Sequence, residues 1–179
     1  ISPLDEYSKY LIDISYKKIN WKLNRGSINI FNEISSIFDL IKKVREINPL
    51  LIHNFTMKGC IYGTFAAFLS SNPIIINSIT GLGHLFLSNS FFIKIIKLFI
   101  IPIIKLIFYL TDSKFILQNF DDQNLLINKG ITNKKDSIVI KSSGVNIDFF
   151  KPEKKENNDQ FIILFPSRII KEKGFIELE

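Results

Sequence analysis

The sequence predicts an α/β fold: a Rossmann-like, doubly wound parallel sheet, followed by the first strand and loop of a second Rossmann-like domain. Three observations point there. Short apolar runs recur at residues 50–52, 73–77 and 161–165, as in strands buried within a sheet. Segments between the first of these runs carry apolar residues at the helical period. Strand and helix alternate along the chain, the order that builds a parallel sheet through crossovers.

The chain of 179 residues is long enough for one full domain with its own core, and 46% hydrophobic residues including 17 Phe exclude a disordered chain. A net charge of +6 and a pI near 9.3 point to anionic partners: nucleic acid, phosphates or a membrane surface. One Cys permits no internal disulfide and fits a reducing compartment. Ile, Asn, Lys and Phe are used heavily throughout, so a single Lys or Asn carries little weight.

In chain order, residues 1–16 place Leu4, Tyr7, Leu11, Ile12 and Ile14 near helical spacing, with Asp5 and Glu6 favouring a helix start. A short strand is expected over 17–23 and a turn over 24–27. Ile34, Ile37, Phe38, Ile41 and Val44 follow the helical period over 32–47, and Asn48-Pro49 stops that helix. Residues 50–52 read as a buried strand. His53 to Gly59 follow at its carboxyl end, where ligands sit in open α/β sheets. The helix over 61–70 carries the small residues Gly63, Ala66 and Ala67, suited to close packing on a sheet. After the strand at 73–77 come Thr80, Gly81, Gly83 and His84; the two glycines would let the backbone approach a ligand closely.

Residues 91–110 form a 20-residue apolar run broken by Lys94, Lys97, Pro102 and Lys105. It is long enough to span a bilayer. A central Lys costs on the order of 2.5–3.5 kcal/mol there, which disfavours spanning. At about 100° per residue the lysines share an arc of roughly 80°. A helix lying at an anionic membrane surface with Lys94, Lys97 and Lys105 toward lipid fits that pattern, and its other face can pack on the sheet. Residues 114–119 read as a strand, Asp121 as the N-cap of a helix over 122–129 ending at Gly130, and 136–140 as a further strand. Residues 153–160 are eight polar residues that read as a linker between a first domain at 1–152 and a second beginning at 161–179. Arg168, Lys171 and Lys173 follow the apolar run at 161–165 in a loop that should open a helix, a setting suited to phosphate.

Two stretches carry a family resemblance. The run SGVNIDFFKP at 143–152, followed by ILFPSRIIKEKG at 163–174, resembles the interdomain hinge and donor loop of retaining glycosyltransferases of family four, which have the two-domain GT-B fold. Asn146 stands where Asp is usual and Ser167 where Gly is usual; the cationic pair is kept. His53, Lys58 and Gly63 match the family's H-x-x-x-x-K-x-x-x-x-G. Thr80 stands where many members have the histidine of V-H-G. The pattern I-T-G-L-G at 79–83 and Q-N-x-D-D at 118–122 are similar to the subgroup that extends polyprenyl-diphosphate-linked sugars and surface polysaccharides.

The resemblance implies that Arg168 and Lys173 grip the diphosphate of a nucleotide-sugar donor, and that Gly144 and Asn146 lie in the hinge. It implies an acceptor side at His53, Lys58, Thr80, Gly81, Gly83 and His84, with a lipid-linked sugar or polysaccharide as acceptor. It implies no metal and no cofactor beyond the donor, and a cytoplasmic enzyme peripheral on the inner face of the cell membrane. It also implies a fragment, lacking a strand and Gly-rich loop before Ile1 and a pair of glutamates beyond Glu179, and so expected to transfer no sugar alone. Three other readings stand beside it: another GT-B enzyme such as a nucleotide-sugar epimerase, an inactive fragment, or a basic α/β binding module. Nucleic acid is disfavoured because most Phe residues lie in apolar runs, which suits a core better than an exposed stacking face.

Overall fold

A computed structural model describes residues 1–3, 17–23, 29–70, 73–82, 91–142, 144–152, 163–167, 169 and 174–178. Among them, β1 (Leu51–Phe55), β2 (Ile74–Ile79), β3 (Lys114–Leu117) and β4 (Ser137–Val139) form one parallel sheet in the order β1-β2-β3-β4. The helices are α1 (Ile30–Ile47), α2 (Met57–Phe68), α3 (Phe91–Leu110), α4 (Phe120–Asn128) and the short α5 (Phe175–Leu178). The fold is therefore α/β with a Rossmann-like parallel sheet. The chain divides into two units, Ile1–Gly144, which holds the sheet and α1 to α4, and Val145–Glu179, which holds α5.

Local chemistry explains the element ends. The Asn29 side chain caps α1 by accepting from the Phe31 N–H at 3.0 Å. Asn48 closes it in a left-handed conformation (φ 47°), and Pro49 follows. Leu40, Ile41 and Val44 recur every one to four residues and bury one face of α1 against Trp21 and Ala66. The small residues Gly63, Ala66 and Ala67 are buried where α2 lies on β1 and β2.

The main core forms where Ile79, Phe115 and Leu117 of the sheet meet Met57 and Cys60 of α2, Ile104 and Phe108 of α3, and Leu126 of α4. Ile79 and Leu117 are register partners, so they present one face. Burying one such side chain stabilises by about 1.5–3 kcal/mol. Consecutive parallel strands joined by right-handed crossovers put their helices on the same face, and α2, α3 and α4 all meet in this one cluster. A doubly wound sheet would be covered on both faces. Among the described residues the opposite face leaves Leu51, Phe55, Ile74 and Ile138 exposed.

Several expected elements differ. Residues 17–23 form no strand; they make one parallel bridge, Ser2 to Asn20. Trp21 instead packs on α1 and donates from Nε1 to the Ser36 carbonyl at 2.9 Å, so this segment is held by side-chain burial rather than by a ladder. β1 is not buried on both faces: its residues alternate between exposed and half-buried, because it pairs with β2 on one side only among the described residues. Residues 163–165 are in no strand. The helix expected over 1–16 falls largely outside the described residues, as do residues 153–162.

The N-cap of α4 is Asn119, not Asp121. Its side chain accepts from the Asp122 N–H at 2.7 Å, and Asp121 and Asp122 sit in the first turn, where a carboxylate complements the helix dipole. Asn119→Ala is expected to lower stability by about 1 kcal/mol, read from urea unfolding. Asp121→Asn should cost only about 0.3–1 kcal/mol. A larger loss from the aspartate would reverse the capping assignment.

The 20-residue α3 has the expected bounds and contains Pro102. No helix among the described residues is long and apolar enough to cross a membrane.

Candidate functional site

The polar residues at the carboxyl end of β1 and the start of α2 line one end of a cleft of about 770 Å³. Its walls are apolar, with Trp21, Leu40 and Val44 among them, and His53, Asn54, Thr56 and Lys58 supply the polar end. His53 lies inside β1 rather than after it. A strand with one open face can hold a polar residue there. Its Nε2 is 2.8 Å from the Ser78 Oγ on β2, and its ring packs on Phe55 with centroids 4.3 Å apart.

Lys58 is the second residue of α2. Its Nζ donates to the Glu33 carboxylate of α1 at 2.8 Å and lies 5.7 Å from the Tyr62 ring centroid. The Tyr62 hydroxyl donates to the same carboxylate. Burial, joined by the Glu33 charge, pushes the Tyr62 phenol well above its usual range, so it stays a donor. Glu33 thus ties α1 to α2 and holds the ammonium at the cleft.

Thr56 joins β1 to α2 at φ 67°, ψ 155°, a conformation that a β-branched residue rarely adopts. Three hydrogen bonds hold it: its N–H donates to the Ser78 carbonyl at 3.1 Å, its carbonyl accepts from the Cys60 N–H at 2.8 Å, and its Oγ1 accepts from the Gly59 N–H at 3.4 Å. Strained backbone of this kind concentrates at functional sites.

Beneath this end lies a buried amide network. The Asn54 Nδ2 donates to the Asn77 Oδ1 at 2.9 Å, and Asn77 exchanges hydrogen bonds of 3.1 and 3.2 Å with the Thr64 hydroxyl. Asn77 and Thr64 are fully buried. Gly63 makes room for the network: a Cβ there would sit 1.9 Å from the Asn54 Oδ1. Cys60 is buried beside it, and burial pushes its thiol up to about 12, which leaves it protonated and unreactive.

Of the acceptor-side residues expected from the sequence, the structure brings His53 and Lys58 to one cleft. Thr80 and Gly81 are exposed beyond β2, and a Cβ at Gly81 would meet nothing within 4 Å. Gly83 and His84 lie outside the described residues. Gly144 adopts φ 74°, which favours glycine, in open space. The Asn146 side chain accepts from the N–H groups of Asp148 at 3.0 Å and Phe149 at 3.2 Å, a role in which Asn and Asp serve alike.

Arg168 and Lys173 lie outside the described residues. Of their described neighbours in sequence, Ser167 N–H donates to the Phe165 carbonyl at 2.8 Å, Gly174 adopts φ 77°, and the Phe165 and Phe175 rings stand 6.3 Å apart. On α3, Lys94 is exposed, while Lys97 and Lys105 are half-buried. Sequence reasoning missed Glu33, Thr56 and the Asn54–Asn77–Thr64 network. A single Asn inside the run Ile74-Ile75-Ile76-Asn77 was the available signal for the last.

Comparison with known proteins adds sequence relatives. A family model described as glycosyl transferase 4-like matches residues 1–119. The chain is 30% identical to an N,N'-diacetylbacillosaminyl-diphospho-undecaprenol alpha-1,3-N-acetylgalactosaminyltransferase of Campylobacter jejuni, over 99% of the chain and 50% of that relative. It is 28% identical to the capsular polysaccharide biosynthesis glycosyltransferase CapM of Staphylococcus aureus, over 86% of the chain and 42% of that relative. The chain thus spans about half the length of these relatives, or somewhat less.

Proposed function

The chain belongs to the glycosyl transferase 4-like family, and from that membership we propose that it forms the acceptor-side part of an enzyme of cell-surface glycan synthesis. That enzyme moves a sugar from a nucleotide-diphosphate donor to a lipid-linked sugar or polysaccharide, with retention of anomeric configuration. The observation that carries this reading is the cleft at the carboxyl end of β1. It joins apolar walls to a polar end at His53 and Lys58, and it lies within the matched residues. Such a cleft suits an acceptor with an apolar carrier and a polar sugar. Both relatives are named as glycosyltransferases, one for a diphospho-undecaprenol-linked acceptor and one for capsular polysaccharide.

Residues 1–152 take the acceptor in this reading, 153–160 link, and 161–179 begin the donor domain. Thr80, Gly81, Gly83 and His84 border the acceptor, and Gly144 and Asn146 serve the hinge. Arg168 and Lys173 hold the donor diphosphate. Charge grows on that diphosphate as the glycosidic bond breaks, so fixed cations favour the transition state over the ground state. They take the role a metal would otherwise fill. The enzyme works in the cytoplasm, peripheral on the inner face of the membrane.

The test is transfer of labelled sugar from nucleotide-diphosphate donors to a polyprenyl-diphosphate-linked sugar, using a chain of the relatives' length that carries residues 1–179. Labelled product in the organic phase, with the donor's anomeric configuration by NMR, is the expected result. Epimerised donor with no acceptor consumed would overturn the transfer reading. Inverted product would overturn retention alone.

A further inference from the structure

We propose that the outward face of α3 is a membrane-docking surface that holds by apolar insertion, with Lys94 and Lys105 as a cationic border. Leu98, Phe99, Ile103, Leu106, Tyr109 and Leu110 are each 48–83% exposed, while Ile104, Ile107 and Phe108 on the opposite side are buried in the core. At about 100° per residue the six exposed side chains share an arc of roughly 140°. At 1.5 Å per residue the strip runs about 18 Å along the helix. A monomer seldom exposes a contiguous apolar face of that kind without a partner for it.

The charge pattern selects the partner. The helix carries three lysines and no acidic residue. Lys94 is exposed and Lys105 half-buried, and both fall on one flank between the strip and the core side, while the half-buried Lys97 projects on the core side between Ile104 and Phe108. Apolar side chains beside a one-sided row of cations match acyl chains beside anionic headgroups. Tyr109, with the strip's one hydroxyl, is 83% exposed, as suits a ring placed at headgroup level. A second copy would bring the same cations and no carboxylate on this helix to meet them. Ile104, Ile107 and Phe108 are buried in the core, so only one side of the helix is open to lipid and it lies along the surface.

The inference deepens the reading above by naming the element through which that enzyme meets its membrane. Its test involves no sugar transfer, so either can fail alone. The 179-residue chain is floated with phosphatidylcholine vesicles, with and without one quarter phosphatidylglycerol. The chain should float with the anionic vesicles. The Phe99→Ser/Leu106→Ser variant should lose at least about ten-fold in partitioning. Lys94→Gln should lose only a few-fold, and high salt should leave most of the parent chain bound. A double variant that melts cooperatively and still floats like the parent would overturn the proposal. So would complete release by salt, or a dimer that the double substitution splits while vesicles bind nothing.

A second measurement covers the case in which the double variant does not fold. Cys60 is fully buried with an unreactive thiol, so Leu106→Cys can carry an environment-sensitive fluorophore alone. Its emission should shift to the blue when anionic vesicles are added. An unchanged spectrum refutes insertion.

Discussion

Replacing Arg168 or Lys173 with alanine is expected to lower kcat/KM for sugar transfer by about 2–4 kcal/mol of transition-state stabilisation, roughly 30- to 1,000-fold. In the proposed reading the guanidinium and ammonium would make charge-assisted hydrogen bonds to a diphosphate whose charge rises as it leaves. Losing either should act on the departing group more than on the acceptor. In a chain of the relatives' length, kcat should fall with little change in acceptor affinity and none in melting temperature. Parent-like kcat/KM in both variants would remove these residues from the donor site.

Gly63→Ala is expected to destabilise the chain by on the order of 3 kcal/mol, although helix propensity alone favours Ala over Gly by about 1 kcal/mol. The new Cβ would fall 1.9 Å from the Asn54 Oδ1 and within 2.8 Å of the whole amide. An amide at the end of a side chain can usually swing away. Here its Nδ2 is tied to the fully buried Asn77, so moving it leaves that buried acceptor with only the 3.2 Å bond from the Thr64 hydroxyl, at a cost of about 0.5–1.5 kcal/mol. Overpacking adds about 1–3 kcal/mol. Urea unfolding midpoints decide the sign. The double variant Asn54→Ala/Gly63→Ala should recover part of the loss, because the clash has gone. A Gly63→Ala chain more stable than the parent would show that the network yields freely.

The contrast between these two sites explains what the sequence reveals. Period and apolar runs find α1, α3 and the sheet strands within a few residues, because each is a local pattern. Strand position within the sheet is not local. His53 reads as a loop residue since the apolar run stops at Ile52, yet β1 continues to Phe55 because its outer face needs no apolar cover. Asn77 reads as the polar end of a strand, while its partners Asn54 and Thr64 lie 23 and 13 residues away. Glu33 looks like any charge on a helix until α2 brings Lys58 and Tyr62 to it. Asn119 and Asp121 are both good caps by composition, and only the extended backbone at Asn119 chooses between them.

The strand order β1-β2-β3-β4 is also the order of synthesis. Among the described strands, each can therefore be added at one growing edge as the chain leaves the ribosome, and none of the four inserts between two that are already paired. Domains form N-terminal first during translation, so each of β2, β3 and β4 meets a neighbour that is already made. β1 and β2 form the earliest seam among these four strands, and the Asn54–Asn77 hydrogen bond joins register partners across it. A one-residue slip there would turn Asn77 to the opposite face and carry β3 and β4 with it. The buried amide pair thus acts early, as a proofreading contact for everything translated after it.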